Sequence, residues 1–156
     1  MRVQQPTGRA RAGRLAGQAV VEFALVSLAL AMLMFGTLDL GRGVFARQML
    51  ANAVREAARH GSVNRADTAG MVASAAGRSP SLGLAAANFA APDGAIACAY
   101  WQASTGAWVT RPACDGTTLV GDRLTVCVAY RFALTAPRLI GLSSLAMREC
   151  AQTTIQ

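Results

Sequence analysis

Glu22 is a carboxylate set into an otherwise apolar run, AVVEFALVSLALAMLMFGTLDL over residues 19–40. An acid at the edge of such a run costs about 3 kcal/mol unless it finds a partner or reaches the surface. Glu22 therefore reads either as a recognition or pairing group, or as a side chain that snorkels to the cytoplasmic interface. Cys98, Cys114, Cys127 and Cys150 form the second chemical set. Their number is even, all lie distal to the apolar run, and none shows the CxxC spacing of a zinc or redox site. They are disulfide candidates, which calls for an oxidising compartment. His60, the only histidine, stands at the end of a helical pattern with no ligand spacing around it and reads as a capping or solvated residue. Asp93, Asp115 and Asp122 each adjoin a glycine, where Asp serves turn geometry. Neither a GxSxG, a P-loop nor an HExxH string occurs. The residues name no catalytic group, no metal ligand and no cofactor, so the chain is expected to be neither an enzyme nor a receptor for a small-molecule substrate.

The elements that must place these residues start with the apolar run. Phe23 to Leu38 carries no charge, and residues 19–40 as a helix reach about 33 Å, enough for a hydrocarbon core of about 30 Å. A buried helix of a soluble protein would show a polar face at helical period, and this run shows none. A cleaved secretory signal would have a shorter apolar run and a small-x-small site after it, whereas Asp39, Gly41 and Arg42 follow here, and then a new helical pattern. The run is read as a membrane span. Its orientation is not decided by arginine, because Arg2, Arg9, Arg11 and Arg14 before it are balanced by Arg42, Arg47, Arg55 and Arg59 beyond it. The cysteines favour a cytoplasmic N-terminus and a distal part outside. The net charge of +7 is front-loaded: four of the 15 basic residues, all arginine, precede Gly17, against none of the 8 acids. The remainder is near balance and gives no argument for nucleic acid.

Beyond the span, Phe45, Met49, Ala53 and Ala57 recur every four residues with Leu50 and Val54 beside them, while Arg47, Gln48, Asn52, Arg55 and Arg59 share the opposite arc. The pattern predicts one helix over residues 19–60, apolar in its first half and amphipathic in its second, with Gly61 as C-cap. Residues 62–94 are Ala-rich and broken by Gly77, Pro80, Gly83 and Pro92, which predicts a short helix near 66–76 and then loop. From Ala95 the signal changes to strands: AIACAYW, AWVT after a turn at 104–106, RLTVCVAYRFAL after a turn at 112–116, and a last run over 145–155. Cys127 and Cys150 fall on the last two of these, and Cys98 and Cys114 flank the hairpin. Of the three possible connectivities, 98–114 with 127–150 is preferred. Tyr100, Trp101 and Trp108 are strand-packing residues or an exposed contact patch, packing being the preferred reading.

The string GRLAGQAVVEFALVSLAL holds a basic leader ending at Gly17, then Gln18, then Glu22 and Phe23 as the fifth and sixth residues. It resembles the processing site of type IV prepilins. Together with FGTLDLGRGVFARQMLANAVREAARHGSV, and more loosely with LTVCVAYRF and LAMRECAQTTI, the chain resembles the TadE-like family of minor pseudopilins of tight-adherence (Flp) pilus systems. The resemblance implies cleavage between Gly17 and Gln18 by a prepilin peptidase, and recognition or assembly roles for Glu22 and Phe23, with the freed amine of Gln18 on a neighbouring subunit as partner for Glu22. It further implies a major Flp-type pilin and a TadF-like pseudopilin as partners, and a single-pass place in the bacterial inner membrane.

The expected fold class is α+β, a long transmembrane and amphipathic helix followed by a small antiparallel extracytoplasmic domain. Its parts are a leader (1–17), helix (18–61), Ala-rich linker (62–94) and β-rich periplasmic domain (95–156). The expected function is a non-enzymatic pseudopilin, the alternative an uncleaved signal-anchored periplasmic binding module.

Overall fold

A computed structural model describes residues 9–111, 114–115, 117–135, 141 and 143–156, with side chains from residue 17 onward. The start of the leader, with Arg2, and part of the 112–116 turn lie outside the described residues. Helix α1 runs from Arg9 to Val63, 55 residues, or about 82 Å. It begins inside the basic leader rather than at Ala19, because Arg, Ala and Leu there favour helix and only Gly13 and Gly17 oppose it.

The helix also passes through Gly61, which is not its C-cap. Gly61 is a close-approach site: a Cβ there would sit 2.5 Å from Leu124 Cδ2 and 2.6 Å from Met71 Cε. Both neighbours are fully buried, so their side-chain ends would have to repack within the core to make way. Gly61→Ala should therefore destabilise the chain by about 1–2 kcal/mol, since overpacking of a core outweighs the roughly 1 kcal/mol gain in helix propensity. A rise in the thermal midpoint of the full chain in detergent would contradict this.

Four strands follow, β1 (Ala95–Gln102), β2 (Ala107–Arg111), β3 (Arg123–Ala133) and β4 (Ser144–Thr154). They form one antiparallel sheet in the order β2-β1-β3-β4. The run expected at 145–155 pairs with β3 along its whole length, from Arg123 opposite Thr154 to Ala133 opposite Ser144. Alternation along β3 turns Leu124, Val126, Val128 and Phe132 toward α1, all of them buried.

The buried face of α1 keeps Leu50, Ala53, Val54 and Ala57 of the expected stripe but not Phe45. Ala46, Leu50, Ala53, Val54, Ala57 and Ala58 are buried, whereas Phe45 is 65 % exposed. Small residues at these positions let the sheet backbone come close, and Phe45, one position off the stripe, points away from it.

The Ala-rich segment 62–94 is packed rather than a bare connection. Helix α2 (Thr68–Arg78) buries Met71 and Ala75, and two short 3-10 turns (Pro80–Leu82, Ala86–Phe89) follow. Leu84 and Phe89 join the core, and Asn88 Nδ2 donates to the Ala129 carbonyl at 2.8 Å. Asp67 caps α2 by accepting from the Gly70 N–H at 2.8 Å, and its other oxygen lies 3.1 Å from His60 Nε2.

The Gly70 N–H first, then His60, hold the Asp67 carboxyl below its ordinary 3.8. The hydroxyl and N–H of Thr117 do the same for Asp115, and Arg59 holds Glu56 below 4.5. A carboxylate depressed in the folded state contributes stability above its unfolded pKa and loses it as pH falls through the folded value. The thermal midpoint in detergent should thus be level near neutrality, begin to fall below about pH 4.5 and fall further below 3.8. A midpoint unchanged down to pH 3 would contradict the assignment.

Candidate membrane and assembly segment

From Phe23 to Leu38 α1 carries no charge on any side and lies almost wholly exposed among the described residues. The window that is long and apolar enough to cross a membrane has no part of it buried against the rest of the chain. Val20, Leu25, Leu28, Leu30 and Leu33 are each more than half exposed, and Phe23 is 74 % exposed. In water such a surface would be untenable; in lipid, a helix is the structure that satisfies every backbone group internally. Gly17, Gln18, Glu22 and Phe23 all lie on this helix and are exposed. Gln18 and Glu22 are one turn apart and share a face. The helix is continuous across the Gly17–Gln18 bond.

The apolar stretch is followed by a polar joint that sequence reading did not single out. Asp39 is buried, and its Oδ2 accepts from the Thr135 N–H at 2.8 Å, across 96 positions of chain. Arg42 lies 3.3 Å from Asp39 Oδ1, donates to Thr135 Oγ1 at 3.0 Å and stands over the Phe132 ring. One turn further, Arg47 Nε donates to Glu149 Oε1 on β4 at 2.6 Å. These contacts fasten the sheet to the helix just past its uncharged stretch. The only local sign was an acid directly after the apolar run with Arg three residues on. Asp39→Ala should cost about 2 kcal/mol by removing a buried charged acceptor that takes hydrogen bonds from the Thr135 N–H and from Arg42. Asp39→Asn keeps an acceptor and should cost less than half of that; equal losses in urea titrations would refute the joint.

The cysteines pair as Cys98–Cys114, tying β1 to the segment after β2, and Cys127–Cys150, directly opposite one another on β3 and β4. The first bridge is buried in the core, while the second lies on the sheet face turned away from α1, with Cys150 exposed. That outward face also carries the tryptophans. Trp101 is 53 % exposed and meets Trp108 edge to face at 5.7 Å, with Arg123 stacked 4.1 Å over Trp108. The two rings pack on each other outside the core. Tyr100, by contrast, is half-buried, with the Arg111 guanidinium 4.8 Å over its ring. Asp115 and Asp122 both serve turns, Asp122 accepting from the Leu119 N–H at 2.9 Å.

The architecture defines a class: an α+β chain whose single long N-terminal helix can span a membrane and whose second half carries a disulfide-bonded antiparallel sheet. The family model described as TadE-like protein matches residues 17–59, from the glycine before Gln18 to the last turns of α1. This is the family the sequence resembles, and it points to Tad/Flp pilus systems. No curated protein and no solved structure matches the chain.

Proposed function

We propose that the protein is a non-enzymatic minor pseudopilin. It is made as a precursor, cut by a prepilin peptidase between Gly17 and Gln18, and takes part through α1 in assembly of a Flp/Tad-type pilus or secretion apparatus. The observation that carries this reading is the apolar stretch of α1, unpartnered among the described residues and lying inside the segment that matches the TadE-like model. A helix exposed on all sides is free to pack sideways against other helices in the membrane. Glu22, one turn after Gln18, is placed for the amine released at Gln18 of a neighbouring subunit, which would neutralise an acid at the apolar edge. Gly17 supports the cleavage site, since a Cβ there would meet nothing within 4 Å among the described residues and packing gives no reason for glycine. The two disulfides support a periplasmic domain and hence a cytoplasmic N-terminus in the inner membrane. A major Flp-type pilin and a TadF-like pseudopilin are the partners this reading expects.

The test is N-terminal sequencing and intact mass of the protein from membranes, with and without co-expressed prepilin peptidase. A peptidase-dependent product beginning at Gln18 is the expected result. A chain still beginning at Met1 with active peptidase present would replace this reading with a signal-anchored periplasmic binding module, and a start near Asp39 with a secreted domain.

A further inference from the structure

The sheet is hung so that one end of it lies at the membrane surface. β3 runs antiparallel to α1, with Leu124 against Gly61 at one end and Thr135 bonded to Asp39 at the other. The β3–β4 end is therefore level with the first turns after Leu38. Beyond the hydrocarbon core, the headgroup layer is about 5–7 Å deep on each side. At about 1.5 Å per residue it covers the next four or five positions of the helix, Asp39 to Gly43.

At that level α1 and the sheet enclose an open groove of about 370 Å³, lined among others by Gly36, Leu40, Val44, Phe132, Leu134 and Leu145. Leu40, Val44 and Leu145 are 69, 55 and 51 % exposed, so the groove opens onto apolar surface continuous with that of the span. The acids nearby, Asp39 and Glu149, are both engaged by arginine. The guanidinium-bearing side chain of Arg42 is nevertheless 59 % exposed, which leaves a cationic group facing outward beside an apolar slot. Apolar groove and arginine, at headgroup depth, match the two ends of an anionic phospholipid.

We propose that the membrane-proximal end of the sheet is a second membrane contact, in which the groove takes an acyl chain of an anionic phospholipid and Arg42 faces its phosphate. The contact would hold the domain against the bilayer rather than leave it swinging on a bare helix. It rests on the reading of α1 as a membrane span, and the test separates the two. The full chain, with Trp101→Phe and Trp108→Phe to remove native fluorescence, is placed in nanodiscs of phosphatidylethanolamine and phosphatidylglycerol with brominated acyl chains. Single probes are introduced as Leu30→Trp, Leu145→Trp or Val120→Trp; Leu145 and Val120 are exposed, so the new ring is tolerated.

The expected result is strong quenching at Leu30→Trp, clear quenching at Leu145→Trp that is greater for bromine near the headgroup than deep in the chain, and none at Val120→Trp. Bromine on the anionic lipid should quench Leu145→Trp about twofold more than the same fraction on the zwitterionic lipid, from local enrichment of anionic lipid beside basic residues. Quenching at Leu30→Trp without quenching at Leu145→Trp would overturn the proposal and leave the span standing, as when a neighbouring helix fills the groove. Equal quenching by the two lipids would overturn the anionic preference, and no quenching at Leu30→Trp would overturn the span itself.

Discussion

Gly17→Ala should leave the chain at full length in membranes that contain active prepilin peptidase, with the Gln18-start product reduced about 100-fold, the scale of loss for a small misplacement at a reacting centre. Two physical effects could contribute. A methyl at the scissile residue crowds the bond in a protease site, and an added Ala stiffens a helix that has to open before an extended backbone can enter that site. The helix is continuous from Arg9 through this bond, so the second effect is real. It is also small and can be measured apart: Gly13→Ala adds the same roughly 1 kcal/mol of helix propensity one turn earlier. Gly13→Ala should lower cleavage by no more than about fivefold, the factor that 1 kcal/mol represents. If both variants lose processing equally, helix opening rather than the space at Gly17 is what limits cleavage. If neither does, the processing site is elsewhere. Quantifying precursor and product by intact mass decides between these.

The second large effect concerns the bridges. Cys98 and Cys114 close a loop of separation 16 and are both buried in the core. Replacing both by Ala should cost about 3 kcal/mol from loop entropy, or a fall in thermal midpoint of about 10–20 °C for a domain of this size. The cost falls on a segment with little else to hold it, since no strand forms between Arg111 and Arg123 among the described residues. Cys127 and Cys150, at separation 23, link strands already joined by a full ladder of hydrogen bonds. Exposure differs between the two bridges, so reduction should be ordered. Under limiting reductant, Cys127 and Cys150 should alkylate first, because Cys150 is open to solvent while the first bridge is buried on both sides. Alkylation of Cys98 and Cys114 ahead of the other pair, followed by peptide mass mapping, would contradict the burial seen here. Losing both bridges should unfold the domain, as their combined contribution approaches the whole stability of a typical small domain, about 5–15 kcal/mol.

Much of this molecule follows from local pattern. The stretch fit to span is readable because lipid imposes a length and disfavours charge: residues 19–40 are long enough and residues 23–38 carry no charge, without reference to any other part of the chain. The four strands are readable for a similar reason: alternation and turn residues are local, and AIACAYW, AWVT, RLTVCVAYRF and the last run each became a strand within a few residues of expectation. Pairing of the cysteines followed once the strands were placed. What only the tertiary structure decided is where the helix and the sheet touch. Helical period predicts that α1 has an apolar arc after the membrane, but Phe45 and Ala46 are neighbours in sequence and only docking of the sheet determines that Ala46 is the buried one. Gly61 read as a stop because glycine often ends helices, and the reason for it here is the crowding of Leu124 and Met71 from distant segments. Asp39 meets Thr135 across 96 positions, and Arg47 meets Glu149 across 102. Contacts at that separation depend on how twisted, packed elements come to rest together, and no local spacing rule encodes them.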